Sequence, residues 1–226
     1  MVVALGGTRQ SAVLAALLLK ANQTASMSYL AESVWDLPPA APESNMRTYV
    51  SGLRRHLAVC GTEGDRLVTC AGGYRLQARP EESDVALFAQ LADPQWVEED
   101  AGATADRLGR ALALWRGIPF EGLAVGPRLA AYRTLLVDQR IAVVLRYAAA
   151  GRAARRHEEV LRQLRPMIEL YPLREELHEQ FIRTLVESGR RVEAVTTYRR
   201  VRSRLADELG IQPGPALQRL HQRIAT

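Results

Sequence analysis

The chain has 226 residues, enough for one or two domains with separate cores. Hydrophobic residues make up 47%, an ordinary globular share, and no apolar run reaches transmembrane length, which excludes a membrane-spanning helix. The formal net charge of +5 and pI near 9.6 suit an anionic partner without proving one.

At the N-terminus Leu5-Gly6-Gly7 reads as a turn, with Thr8 as N-cap of a helix to about Lys20 that buries Val13, Leu14, Leu17 and Leu18. The Gly-x-x-x-x-Gly-Lys spacing of a phosphate loop is absent. Ser26 can cap a second helix that runs to Trp35, with Leu30, Val34 and Trp35 turned inward. Asp36 to Pro42 contains three prolines, which remove amide donors and favour extended backbone. This loop is stiff and exposed, either a spacer or a rigid contact for a protein partner.

The stretch from Glu43 to Ala58 is the element around which the chain is organised. Met46, Val50, Leu53 and Leu57 recur at steps of four, three and four, which puts them on one face of a helix. Arg47, Ser51, Arg54 and Arg55 fall on the other, where guanidinium forks suit phosphate oxygens and the guanine edge. Gly52 costs roughly 1 kcal/mol relative to alanine at mid-helix. It is either simply tolerated or allows close approach of DNA. His56 reads as a polar surface residue.

Behind the helix, Arg66 to Cys70 and Tyr74 to Ala78 form a hairpin that reverses at Ala71-Gly72-Gly73. A basic amphipathic helix followed by a basic hairpin is the pattern of a winged helix-turn-helix. A core helix with a solvated arginine face is the competing reading. The charge distribution favours the first: residues 1 to 80 hold eight Lys/Arg against five Asp/Glu, and six of those eight lie between Arg47 and Arg79. Cys60 and Cys70 form no Cys-x-x-Cys and have no His cluster nearby, so they read as reduced thiols of a cytoplasmic protein.

Gln77 to Asp84 is polar, contains a proline and is the expected boundary between domains at 1–80 and 81–226. Beyond it the spacing predicts helices over Val85 to Leu91, Ala103 to Trp115 and Arg128 to Ala150. The last has Leu129, Tyr132, Leu136, Ile141, Val144 and Leu145 as candidate core. Pro166 should kink or end a helix that starts near Arg156. Ala150-Gly151-Arg152 recurs as Ser188-Gly189-Arg190, 38 residues on. Leu177, Phe181 and Leu185 line one helix and Val192, Val195, Tyr198, Val201 and Leu205 its partner, an arrangement that indicates tetratricopeptide-like stacking. The fold class is mainly α: an N-terminal winged helix-turn-helix with a small β-hairpin wing, then an all-α tetratricopeptide-like helical domain.

No catalytic constellation emerges. His178-Glu179 opens like a zinc-protease helix, but Ile182 stands where the second His is required. Glu175 and Glu176 read as solvated, no Gly-x-Ser-x-Gly occurs, and no cofactor or metal-ligand spacing is present. The expectation is a non-enzyme.

Several motifs together resemble the Streptomyces antibiotic regulatory proteins, or SARPs. They are Leu5-Gly-Gly-Thr-Arg-Gln10, Leu30 to Trp35, Thr48-Tyr-Val-Ser-Gly-Leu-Arg-Arg55, Leu67-Val-Thr69 and Gly73-Tyr-Arg-Leu76. Further on come Ala111-Leu-Ala-Leu-Trp-Arg-Gly117, Tyr171-Pro-Leu-Arg-Glu175, Glu187-Ser-Gly-Arg190 and Ala206-Asp-Glu-Leu-Gly-Ile-Gln-Pro-Gly-Pro215. The resemblance implies a winged-helix DNA-binding domain joined to a bacterial transcriptional activator domain. It implies an activator that binds direct repeats near the −35 promoter element as a dimer, recruits RNA polymerase through its sigma and alpha subunits, and serves antibiotic or secondary-metabolite gene clusters.

By position, Arg47, Thr48, Ser51, Arg54 and Arg55 are implied to read DNA, with Arg75 contacting it from the wing. The loop from Asp36 to Ser44 is implied to touch polymerase through Asp36, Leu37, Glu43 and Ser44. Only Met1 to Ala4 precede Leu5-Gly-Gly, so the N-terminal β-sheet of the family is expected to be largely missing. A helical scaffold whose winged helix contacts protein rather than DNA is the alternative from another class.

Overall fold

The computed structural model describes residues 6–59, 66–96 and 100–225. The chain divides into two compact units, Met1–Gln90 with Trp115–Asp138, and Leu91–Leu114 with Gln139–Thr226.

In the first unit, helix α1 (Thr8–Leu19) buries Ala12, Val13, Ala16 and Leu17. Its N-cap is Gly7, without a side-chain cap, so the Thr8 hydroxyl lies one position too far along to do the capping. A two-residue strand, β1 (Ala25–Ser26), leads into α2 (Met27–Val34). Ser26 caps α2 as its sequence predicts, its hydroxyl accepting from the Tyr29 amide at 3.2 Å. Helix α3 spans Pro42–Val59. It starts a residue earlier than Glu43 because proline at the first helical position lacks only a donor that would have gone unpaired.

Strands β2 (Leu67–Cys70) and β3 (Gly73–Leu76) form the expected hairpin, and β1 adds a third strand in the order β1-β3-β2, all antiparallel. Gly72 supplies the turn with φ +77°. A side chain at Gly73 would run into the Ala25 carbonyl, so this glycine is what lets β1 lie against β3. Beyond a short 3-10 turn (Pro80–Glu82), α4 runs from Asp84 to Ala92.

One core holds this unit together. Met46, Val50 and Leu53 of α3 meet Val13 and Leu17 of α1, Leu30, Val34 and Trp35 at the end of α2, and Leu67, Tyr74 and Leu76 of the sheet. Each fully buried Leu or Met contributes about 2 kcal/mol on transfer from water. Gly52 also points inward: a side chain there would meet the amide of Gln10 on α1. Its role is helix packing, which answers the question of DNA approach. His56 is half-buried rather than a surface residue, its Nδ1 donating to the Gly52 carbonyl at 2.7 Å with the Gln10 amide alongside.

Residues after Asp84 join the same core. Phe88 and Trp115 meet edge to face at 5.4 Å, and the Gly126 amide donates to the Ser33 carbonyl at 2.8 Å. A side chain on Gly126 would collide with the carbonyls of Glu32 and Trp35. Leu129 enters the core, while Arg128 pairs with Glu32. Leu129 belongs to the long helix α6 (Pro127–Ala153), which contributes its first residues to this unit.

The second unit contains α5 (Ala101–Ala113), the rest of α6, α7 (His157–Leu170), α8 (Glu175–Glu187), α9 (Arg191–Leu209) and α10 (Pro215–Ala225). Asp100 caps α5, accepting from the Ala103 amide at 2.7 Å, and the helix ends before Trp115.

The repeat is real but its register differs from the Gly151/Gly189 alignment. Gly151 lies inside α6, where a side chain would strike Val160. The equivalent turns centre on Arg155 and Gly189, at φ +58° and +79°, 34 residues apart. Their hydrogen bonds match one for one: 154→150, 155→152 and 156→151 recur as 188→184, 189→186 and 190→185. Thirty-four residues is the tetratricopeptide period.

Two further expectations are corrected. Pro166 sits within a continuous α7, exposed, so the carbonyl it leaves unpaired at Arg162 can be solvated. Val192 is 80% exposed, whereas Tyr198, Val201 and Leu205 of the same helix are buried as predicted. Val192 lies in the first turn of α9, ahead of the packed face.

Candidate nucleic-acid interface

The buried face of α3 fixes which side chains look outward. Arg47, Thr48, Ser51 and Arg55 are exposed, and Arg47, Ser51 and Arg55 stand at steps of four, one above the other on a single stripe. Neither Arg47 nor Arg55 has an ion pair among the described residues. Thr48 donates its hydroxyl to the Ser44 carbonyl at 3.1 Å, which leaves the oxygen free to act as an acceptor.

Arg54 has a different position. It is half-buried, with Nε and Nη2 donating to the Leu67 carbonyl at 2.9 and 2.7 Å and Nη2 also reaching Thr69 Oγ1 at 2.9 Å. One guanidinium therefore straps the wing to α3. The signal was its flank position on the helix, beside Leu53 and four residues from Val50, which turns it toward whatever covers the core.

Arg75 lies opposite Val68 on the face of the sheet turned away from the core. It is half-buried, its Nε has no partner among the described residues, and it lines a cavity of about 580 Å³ with Asn22, Arg66, Arg79 and Glu82. Arg66 grips Glu82 with both carboxylate oxygens within 2.9 Å, and Arg79 adds a contact at 3.0 Å. Those hydrogen bonds pull the Glu82 carboxyl down to about 2. Three arginines against one glutamate make the outer face of the wing positive. Arg66, Arg79 and Glu82 are absent from the sequence-derived set, although their closeness to Arg75 in the chain was visible. Asn22 closes the base of the wing at φ +65°, exchanging hydrogen bonds with the backbone of Ala78.

Asp36, Leu37, Glu43 and Ser44 are all exposed. Asp36 and Leu37 belong to the loop after α2, with Leu37 85% exposed, whereas Glu43 and Ser44 form the first turn of α3 rather than part of that loop. No group of His, Cys, Asp and Glu able to hold a metal occurs among the described residues, and no helix there is long and apolar enough to cross a membrane. Cys70 is a free, half-buried thiol; Cys60 lies outside the described residues.

Two families match consecutive parts of the chain. "Transcriptional regulatory protein, C terminal" covers residues 4–76 and "Bacterial transcriptional activator domain" covers residues 83–225. The chain belongs to the SARP family. Among its relatives, the regulatory protein AfsR of Streptomyces coelicolor is 36% identical over 98% of this chain and 22% of that protein. The regulatory protein DnrI of Streptomyces peucetius is 30% identical over 94% of this chain and 82% of that one. In solved structures, Mycobacterium tuberculosis EmbR in complex with a low-affinity phosphopeptide superposes with a TM-score of 0.81 at 30% identity, over 99% of this chain and 60% of that chain. The chain thus spans about a fifth of AfsR and most of DnrI. These relatives are named as regulatory proteins, not as enzymes.

The SARP motifs acquire physical content here. Tyr171-Pro-Leu-Arg-Glu175 and Gln212-Pro-Gly-Pro215 meet through one bond, the Gly214 amide donating to Glu175 Oε2 at 2.6 Å. Glu175 is accordingly a half-buried tether and not a solvated residue.

Proposed function

We propose that this chain is a sequence-specific, DNA-binding transcriptional activator. Helix α3 lies in a major groove, with Arg47, Thr48, Ser51 and Arg55 toward base edges and phosphates. Arg75, with Arg66 and Arg79, follows the neighbouring backbone from the wing. Arg54 reaches DNA indirectly, by holding wing and helix at a fixed distance.

Two protomers bind head to tail on direct repeats near the −35 element, their half-sites about one helical turn or roughly 34–36 Å apart. Asp36, Leu37, Glu43 and Ser44 face the sigma and alpha subunits of RNA polymerase. The target is an antibiotic or secondary-metabolite gene cluster, and the protein works in the cytoplasm with residues 1–80 as the DNA-binding domain and 81–226 as the activator domain.

The observation that supports this most is the stripe Arg47–Ser51–Arg55, exposed and without an ion pair among the described residues, on a helix whose other face buries Met46, Val50 and Leu53. The test is titration of a fluorescent promoter duplex from the gene cluster next to its own gene, at several salt concentrations. If about six phosphates are neutralised per assembled site, affinity falls by roughly three orders of magnitude between 50 and 200 mM salt. Salt-independent binding, or equal affinity for random duplex, would contradict the proposal.

A further inference from the structure

The second unit contains a groove of its own. It is a cavity of about 390 Å³ between α7 and α9, with α8 beneath. Its lining joins Arg165 and Ile168 of α7, His178 and Phe181 of α8, and Val192 and Arg200 of α9. Three properties set it apart from a passive crease between helices.

The first is an unsatisfied acceptor. His178 is 95% buried, and its Nε2 lies 2.8 Å from the Pro172 carbonyl, so this nitrogen carries the hydrogen and Nδ1 is the acceptor. Nδ1 is buried and has no partner among the described residues. Burial, with the positive charge of Arg204 as a lesser cause, lowers the affinity of the ring for a second proton and keeps it neutral. A buried polar atom without a partner is unusual enough in folded proteins to require a reason.

The second is cation availability. Several arginines of the unit are committed, Arg190 to Glu193 and Glu158, Arg183 to Glu179 and Arg156 to Asp106, while others, such as Arg199 and Arg202, are exposed without an ion pair among the described residues. Arg165 and Arg200, on opposite walls of the groove, are exposed and have no ion pair among the described residues. Two carboxylates also line the groove: Glu193, already held by Arg190, and the exposed Glu169. The third is apolar surface, since Val192 stands 80% exposed beside Phe181 and Ile168.

We infer that this groove is a docking site for an acidic peptide segment of a partner protein, one that presents an aliphatic side chain flanked by Asp or Glu. The aliphatic group packs on Val192, Ile168 and Phe181; carboxylates meet Arg165 and Arg200. A donor on the segment, a backbone amide or a hydroxyl, satisfies His178 Nδ1. The site does not depend on the DNA-binding reading and can fail or stand separately from it.

The test uses the full chain and a short fluorescein-labelled peptide with a central Leu flanked by Asp and Glu, read by anisotropy. Two control peptides carry Gln or Lys in place of the acids. Arg200→Glu and Val192→Asp change only exposed side chains, so circular dichroism and melting should match the parent. The expected result is saturable binding of the acidic peptide, weakened about tenfold or more by each variant and by salt, with the Lys peptide silent. In parallel, the 15N resonance of His178 Nδ1 should shift as the peptide is added. Equal binding of all three peptides, no binding, or full affinity in Arg200→Glu would overturn the inference. So would concentration-dependent self-association abolished by Arg200→Glu, which would assign the groove to a second copy of this chain.

Discussion

Arginine serves opposite ends in the helical repeats and in α3. In the repeats, Arg156 and Arg190 occupy equivalent positions one period apart, just after the turn, and each is held by carboxylates on a neighbouring helix. Arg107 goes further: it is 1% exposed, its guanidinium donating to the Leu91 and Trp96 carbonyls and lying over the Trp96 ring. In α3, Arg47 and Arg55 have solvent on all sides but one. A guanidinium with internal partners fixes a geometry; one without them is surface for something else. Arg54 and Arg55, adjacent in sequence, fall on the two sides of that line.

The largest break in this contrast should come from Arg107→Ala. Two carbonyls lose charge-assisted donors and a buried side chain leaves a cavity, and the loss should be about 3 kcal/mol, read as a lower denaturant midpoint with unchanged slope. Arg54→Ala comes next, at about 1 kcal/mol of stability, because its site is half solvated. It should also weaken DNA binding by loosening the wing, and hydrogen exchange should rise across Leu67 to Leu76. Were exchange there unchanged, the strap would have no mechanical role.

Smaller is the effect of Gly52→Ala. The helix gains up to about 1 kcal/mol from propensity, against a shift of the flexible Gln10 amide. The melting temperature should rise slightly, with DNA affinity intact; a large loss of affinity would return this glycine to the DNA-facing side.

The smallest effect concerns acid. The Glu82 carboxyl, at about 2 when folded against an ordinary 4.5, stabilises the wing base above the ordinary value and loses that contribution as pH falls from about 4.5 toward 2. The slope of stability against pH in that window should be shallower in Glu82→Gln. Identical slopes would mean that the Arg66–Glu82–Arg79 cluster does not persist in solution.

What the sequence disclosed about α3 was its buried stripe, because Met46, Val50 and Leu53 obey a helical period that needs no tertiary knowledge. The wing turn was equally visible, since Gly72 marks a backbone only glycine adopts with ease. Strand β1 was invisible, two residues being too few to carry a period; only the collision awaiting a side chain at Gly73 betrays it. The strap of Arg54 depends on a strand more than a dozen residues away, so helical spacing gives its flank position, one turn from Val50, but not the carbonyl that it binds. Gly52 could not be assigned from spacing: it stands three or four residues from Tyr49 and His56, both half-buried, and equally from Thr48 and Arg55, both exposed. The 38-residue alignment failed because similar tripeptides drew attention, whereas the turns are defined by positive φ at one arginine and one glycine.

If the outward arginines of α3 serve DNA rather than the fold, promoter-duplex affinity and melting temperature measured side by side for Arg55→Ala will part company. Affinity for the cognate duplex should fall by about 1–3 kcal/mol, roughly five- to 150-fold, with melting unchanged. Full affinity in that variant, or a melting temperature that drops alongside it, would show that Arg55 has no place in DNA binding of its own.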